Sequence, residues 1–487
     1  MDFINTKRAS ACLKKECRKR FPVVTMDEIK KIIDEEQLRS ILEKSSKDAL
    51  DRALVTDVLD KARTASGLTL NEAAVLLSIE DEELAAAMLE IAGEVRRSIY
   101  GERLVLFAPL YISNFCVNNC EYCGFRSANR SNRTKLTMSE VGDETQVLID
   151  MGHKRLLLEC GEDPALNTID YVCDAINTIY STCSGKGKIR RINVNMAPTS
   201  VENFKRLKEA GIGTYQLFQE TYHQETFKKM HSGPKADYAR QLFAHDRAFS
   251  TGIDDIGLGV LFGLYDYRFE VMGLLSHARY LEESFGVGPH TVSVPRLRSA
   301  PGVLMKPPHA ISDKELLKVI SVLRLALPYT GIILSTRERA VIRERAFKVG
   351  VTQASVGSVA TPGGYEGKQD SVAQFSLGDE RPVREFINDI LAEGVLPSFC
   401  TACYRRGRTG EAFMELARPG DIETFCSPNA LLTFREYIED FAAAPELLSE
   451  ASLLIEKHLR EIADIGLREE TRRRLVKIGS GERDLFF

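Results

Sequence analysis

Cys116, Cys120 and Cys123 stand in the run Asn114-Phe115-Cys116-Val117-Asn118-Asn119-Cys120-Glu121-Tyr122-Cys123-Gly124-Phe125, separated by three residues and then by two. Thiolates are the usual ligands of iron–sulfur clusters, generally four to a cluster. Structural zinc is likewise closed by four ligands. Three thiolates on one short loop can hold three irons of a 4Fe–4S cube and leave the fourth iron open to a small ligand; a zinc loop is the alternative. A second trio follows in the tail. Cys400 and Cys403 lie in Cys400-Thr401-Ala402-Cys403-Tyr404-Arg405-Arg406-Gly407, and twenty-two residues separate Cys403 from Cys426. A second 4Fe–4S cluster with an open iron is favoured there over a three-cysteine zinc site with a distant histidine. The first trio already commits the chain to iron–sulfur chemistry.

The elements that must position these thiols alternate in type. Strand-like runs are Leu104–Ile112, Arg155–Glu159, Ile189–Met196, Thr214–Gln219, Ile256–Leu261, Thr291–Val294, Ile332–Leu334 and Thr352–Val356. Helices are expected between them, among them Ser139–Met151, Val201–Ala210, Ala236–Thr251, Arg268–Ser284, Asp313–Leu327 and Glu338–Val349. Such alternation implies parallel pairing with right-handed crossovers. Eight units in about 250 residues match a (β/α)8 barrel, with an open doubly wound sheet as the rival. The predicted class is thus α/β: a helical N-terminal region over residues 1–100, a (β/α)8 barrel over 101–365, and a helical C-terminal domain over 366–487 carrying the second trio. The N-terminal helices, one of them within Leu68–Leu77, should pack on the barrel or close its bottom. Thr361–Gly367 reads as a flexible loop.

Composition narrows the setting. Hydrophobic residues at 44% and charged residues at 28% fit an ordinary globular core. A net charge of −4 speaks against nucleic-acid binding across the surface. No apolar run approaches the ~20 residues of a membrane helix. Met1–Pro22 lacks an apolar signal core and reads as a solvated helix face or a weak transit segment. Six of the eleven cysteines fall in the two trios, which points to metal in a reducing cytoplasm rather than to disulfides. Cys12, Cys17, Cys160, Cys173 and Cys183 are expected to be buried small hydrophobes.

Reactive groups of such barrels sit where strands end at the C-terminal face. The third strand ends at Asn193-Val194-Asn195, and the fourth at Gln219-Glu220-Thr221-Tyr222. Glu220 can bind ribose hydroxyls or cap the next helix. The sixth ends at Pro295-Arg296-Leu297-Arg298, where two arginines suit an anion or a surface ion pair. The seventh ends at Ser335-Thr336-Arg337, and Ser335 and Arg337 project to one side. Arg337 can grip a carboxylate through two hydrogen bonds while Ser335 supports an amine; Ser335 is equally readable as a helix N-cap.

The first trio, with Tyr122 before its third cysteine and a strand before the loop, resembles the radical S-adenosylmethionine (SAM) superfamily. The resemblance implies that Tyr122 places its ring against adenine. Leu158-Glu159-Cys160-Gly161-Glu162 resembles the Gly-Gly-Glu element of that family, with Cys160 in place of the first glycine. Gly161 would let the backbone approach the SAM methionine, and Glu162 would pair with its ammonium; Glu162 is also readable as a charge at a helix N-terminus. Asn195, Glu220 and Arg296 complete the implied SAM-binding set. With the second trio, the chain from about Asp27 to Ala444 resembles the tyrosine lyase group, in its FeFe-hydrogenase-maturing branch rather than its thiazole-forming branch.

That resemblance implies a SAM-binding and an auxiliary 4Fe–4S cluster, SAM, and an additional labile iron held partly by His277. It implies cleavage of the Cα–Cβ bond of L-tyrosine to p-cresol and dehydroglycine, and conversion of the latter to carbon monoxide and cyanide for the hydrogenase H-cluster. Gln219, Tyr222 and Tyr265 are candidates around the tyrosine phenol. An electron donor such as ferredoxin or flavodoxin, and hydrogenase maturation proteins, would be the partners. An iron–sulfur carrier without catalysis is the competing class; the strand-end set Glu162, Ser335 and Arg337 speaks against it.

Overall fold

A computed structural model describes residues 24–487 apart from 186, 368–370, 419–420 and 442–444. Cys12, Cys17 and the segment Met1–Pro22 lie outside the described residues.

Eight parallel strands close into a barrel. They are β1 (Arg103–Ser113), β2 (Arg155–Cys160), β3 (Arg191–Asn195), β4 (Tyr215–Gln216), β5 (Ile256–Gly259), β6 (Thr291–Ser293), β7 (Gly331–Leu334) and β8 (Gln353–Ser355). Each pairs with the next, and β8 returns to β1 through Val105↔Gln353 and Phe107↔Ser355. Every residue of β1 is buried, as expected of a strand covered on both faces. The outer helices start on strong caps, such as the Thr137–Glu140 box before Met138–Asp150 and the Ser312–Glu315 box before Asp313–Ala326.

The N-terminal helices, from Met26–Ile32 to Glu82–Tyr100, pack against the barrel helices Tyr267–Phe285, Asp313–Ala326 and Ala340–Val349. They flank the barrel, and the last of them delivers Tyr100 to its lower end. The strands differ from expectation chiefly at β4, which is shorter. The expected helix Ala236–Thr251 is two short ones, Tyr238–Leu242 and Ala244–Phe249, broken at Phe243 where ψ reaches 17°.

Besides a small hairpin of Cys183–Ser184 and Gly187–Lys188, a ninth strand of the main sheet was not expected. Leu396–Ser398 (β9) pairs parallel with Arg103–Val105, the part of β1 that projects below β2. It leads directly to Cys400, so the second trio sits at the N-terminal end of the barrel. The helix Glu423–Phe441 packs on β9 and carries Cys426. Lys154, just before β2, pairs with the buried Glu436 of that helix. The segment Ser371–Leu377, expected within the C-terminal domain, instead covers the upper end of the barrel: Gln374, Phe375 and Leu377 line the cavity there. Tyr365 pins the preceding turn by donating to the Pro109 carbonyl at 2.7 Å.

Candidate active site and second thiol site

The upper cavity, about 180 Å³, opens at the C-terminal ends of the strands. Cys116, Cys120 and Cys123 lie on its wall, on the loop that follows β1. Backbone contacts fix that loop. Val117 N–H donates to the Glu162 carbonyl at 2.8 Å, Glu121 N–H to Met230 at 3.0 Å, and Gly124 N–H to Gln374 at 3.0 Å. Two glycines are required by close approach. A Cβ on Gly161 would stand 2.4 Å from the Phe115 carbonyl oxygen, and one on Gly124 2.0 Å from that of Ala373. Burial pushes all three thiols up, Cys123 to about 11. The positive charge of coordinated iron reverses that preference and holds thiolates.

Most of the residues expected at this end do meet there. Tyr122 donates to or accepts from His231 Nε2 at 2.8 Å, and His231 Nδ1 is tied to the Phe227 carbonyl. Glu162 pairs with Arg240 at 2.5 Å and accepts from Asn118 at 2.7 Å. Asn195 and Gly161 line the same wall. Glu220, at a φ of 68°, pairs with Lys235 at 2.6 Å. Burial alone would raise its carboxyl, but Lys235 overrides burial and holds it below the usual range. Ser335 and Arg337 lie opposite, with the Arg337 guanidinium carbon 3.4 Å from the Phe375 ring centre.

Five expected residues lie elsewhere, among them Tyr265, which is off the cavity wall and stacks on His223 with ring centres 3.9 Å apart. Arg296 does not line the cavity; it pairs with the fully buried Glu338 and with Asp313, and Arg298 joins it on Glu338. Gln219 and Tyr222 are buried off the cavity wall. His277 lies in neither cavity. It sits in the packing of Tyr267–Phe285, 3.0 Å from the Tyr222 hydroxyl through Nδ1, and burial and then His245 push it well below the usual range. The scattered cysteines also divide: Cys173 is buried, Cys183 is exposed, and Cys160 lines the upper cavity.

The lower cavity, about 50 Å³, is walled by Cys400, Cys403 and Cys426 on one side and by strand beginnings on the other. Arg103, Arg155 and Arg191, the first residues of β1, β2 and β3, all face it, with Tyr100, Gln353 and His290. Nε of Arg103, Nε of Arg155 and Nδ1 of His290 are buried without a hydrogen-bond partner. Cys403 is held down to about 6, first by the Cys426 thiol and against burial, with Arg408, Arg103 and Arg191 assisting. Burial pushes His290 down to about 4, so its imidazole is neutral and free to ligate. Among the described residues no three Cys, His, Asp or Glu groups are arranged to hold a single ion; a 4Fe–4S cube instead takes each thiolate on its own iron. Two thiol trios, each facing a cavity, fit two such clusters. The lower one adds a neutral histidine and cations.

The two cavities are stacked along the barrel axis. Val105, Arg155, Gly331 and Gln353 face the lower one, and Phe107, Leu157, Ile333 and Ser355, two residues further along the same strands, face the upper one. Phe107, Leu157 and Ile333 form a small apolar cluster of their own between them. Sequence reasoning missed this layer, the three arginines, His290, Lys235 and Glu159. The inward alternation of β1, β2, β3 and β7 carried the signal for all but Lys235 and His290.

The barrel with an open-cornered thiol loop above β1 defines a radical SAM enzyme, and the chain belongs to the radical SAM superfamily, whose model matches residues 110–273. The Biotin and Thiamin Synthesis associated domain matches residues 293–396. The 2-iminoacetate synthase of Escherichia coli is 30% identical over 341 residues, 70% of this chain and 89% of that protein. The crystal structure of HydG, a maturase of the [FeFe]-hydrogenase, is 50% identical with a TM-score of 0.89, covering 94% of this chain and all of the other. The HydG structure from Carboxydothermus hydrogenoformans is 38% identical with a TM-score of 0.81, covering 93% and all.

Proposed function

We propose that this chain is a tyrosine lyase of FeFe-hydrogenase maturation. It cleaves the Cα–Cβ bond of L-tyrosine to p-cresol and dehydroglycine in the upper cavity, and converts dehydroglycine to carbon monoxide and cyanide at an iron centre in the lower one. One observation carries the reading: two thiol trios face two cavities stacked on one barrel axis, with a single side-chain layer between them. A 2-iminoacetate synthase for thiamine needs only the upper half. The similarity to that enzyme spans 70% of this chain, whereas the likeness to HydG spans 94%.

Held at this loop, a 4Fe–4S cluster and SAM would supply a hydrogen-abstracting 5′-deoxyadenosyl radical, given one electron by a donor such as ferredoxin or flavodoxin. The chain's residues hold the reactants around it. Cys116, Cys120 and Cys123 ligate the cluster. Gly161 lets the cysteine loop seat against the end of β2, and Glu162 and Asn195 meet the methionyl end. Tyr122 and Glu220 border the adenosine end. Arg337 grips the tyrosine carboxylate, stacked on Phe375 so that its fork is already oriented, and Ser335 supports the amine. Phe107, Leu157 and Ile333 keep bulk water out of the axis while a small fragment passes. Below, Cys400, Cys403 and Cys426 ligate the auxiliary cluster. His290, which lines this cavity where His277 does not, would hold the labile iron. Hydrogenase maturation proteins receive the product.

The test is a divided assay. Reconstituted protein with SAM, tyrosine and a strong reductant should release p-cresol and carbon monoxide. Cys403→Ala should keep p-cresol and lose carbon monoxide. Intact SAM without p-cresol would remove the lyase reading; an unchanged carbon monoxide yield in the variant would remove the lower site from the reaction.

A further inference from the structure

Three carboxyls line the upper cavity, and two are neutralised by cations: Glu162 by the buried Arg240 and Glu220 by the half-buried Lys235. The third, Glu159, faces inward from β2, paired in register with Tyr111 of β1 and Asn195 of β3. The groups that act on it are Arg337 beyond β7, the Tyr111 phenol, and Glu220 beyond β4; Cys160 and Tyr365 are its remaining titratable neighbours. Burial pushes its carboxyl up, Arg337 and Tyr111 pull it back, and it titrates at about 7.

The lyase reading sets a requirement on this place. An amino acid enters as a zwitterion, and its ammonium has no lone pair on nitrogen. A hydrogen atom leaves nitrogen readily only from the neutral amine, so a base must first take one proton. Carboxylate and nitrogen sit on the same Cα, so a substrate held by Arg337 brings its ammonium beside that residue, where Glu159 stands. The substrate carboxylate also neutralises Arg337, the strongest influence opposing protonation of Glu159. Binding therefore makes Glu159 a better base.

We propose that Glu159 takes the ammonium proton of the bound amino acid, so that the hydrogen atom is abstracted from a neutral amine. The proposal rests on the tyrosine lyase reading. The step balances without a further reagent: R–NH3+ and the Glu159 carboxylate become R–NH2 and the Glu159 carboxylic acid.

The test is a proton inventory on the cluster-loaded protein with SAM and no reductant, so that tyrosine binds and does not react. Calorimetric titration in two buffers of different ionisation heat should show release of about one proton at pH 6, where free Glu159 is protonated, and about none at pH 8. Glu159→Gln should release none at either pH. In turnover, the acid limb of p-cresol formation near neutrality should disappear in Glu159→Gln, with a loss on the order of a hundredfold at pH 7. A wild-type inventory that does not change between the two pH values overturns the proposal and needs no variant. An unaltered pH profile in Glu159→Gln, with the SAM-dependent paramagnetic signal intact, overturns it as well. Failure of the wild type to bind tyrosine or form p-cresol would instead strike the lyase reading.

Discussion

Arg337→Ala should weaken tyrosine binding by roughly 30- to 1000-fold and leave SAM binding within about twofold. The figure follows from the place of the side chain. Its guanidinium carbon lies over the Phe375 ring, 3.4 Å from the ring centre, inside a cavity shared with Ser335 and Glu159. A stacked fork loses little rotational freedom when a carboxylate arrives. Two charge-assisted hydrogen bonds in a water-poor cavity contribute about 2–4 kcal/mol together, and each 1.4 kcal/mol is about tenfold in affinity. Loss of the stack on Phe375 costs about 0.5–2 kcal/mol, but it falls on folding and leaves affinity untouched. Arg337→Lys should lie between, since it keeps the charge and loses the fork. Calorimetric titration of tyrosine and of SAM, each without reductant, reads both affinities. Equal weakening of the two ligands, or tyrosine binding unchanged, would refute the carboxylate grip.

His290→Ala should lower iron by about one atom per chain while both cubes remain, whereas His277→Ala should leave iron unchanged and cost about 1–3 kcal/mol of stability by orphaning the Tyr222 hydroxyl; iron and sulfide quantification with thermal melting separates them, and the opposite pattern would return the ligand role to His277. Leu157→Trp should keep p-cresol within about twofold and cut carbon monoxide at least tenfold, at about 1–3 kcal/mol of overpacking; parallel yields of both products would mean that the fragment does not cross the axial layer.

The sequence was informative where chemistry follows a local rule. Eight apolar runs separated by helical stretches imply a closed parallel barrel, and a barrel puts reactive groups where strands end. That rule led to Gly161, Glu162, Asn195, Ser335 and Arg337. It failed where a side chain's partner is remote in the chain. Arg296 stands at a strand end, yet Glu338, forty-two residues on, holds it in a buried ion pair. The rule also hid the lower site, because arginines at the start of strands look like supports of the barrel bottom. Arg103, Arg155 and Arg191 are brought before one cavity only because β9 extends the sheet beneath β2 and carries Cys400 to them. His290 sits between Pro289 and β6 with no motif around it. His277 lies on a mostly apolar helical stretch, Leu274-Leu275-Ser276-His277-Ala278, and its burial in the helix packing follows from that setting.

The two ends of the barrel also differ in how charge is managed. Above, Arg240 and Lys235 are matched by Glu162 and Glu220, which leaves Arg337 and Glu159 to meet a zwitterion. Below, Arg191 is matched by Asp255 at 2.9 Å, while Arg103 and Arg155 face the cavity with an unpartnered Nε each. Thiolates and small anions such as cyanide are therefore favoured at the bottom and a neutralised amino acid at the top. Dehydroglycine formed from a neutral amine keeps its carboxylate, so crossing the apolar layer of Phe107, Leu157 and Ile333 costs desolvation, and the guanidinium groups of Arg103 and Arg155 below offset that cost. The direction of travel would thus be set by the cations at the bottom of the barrel.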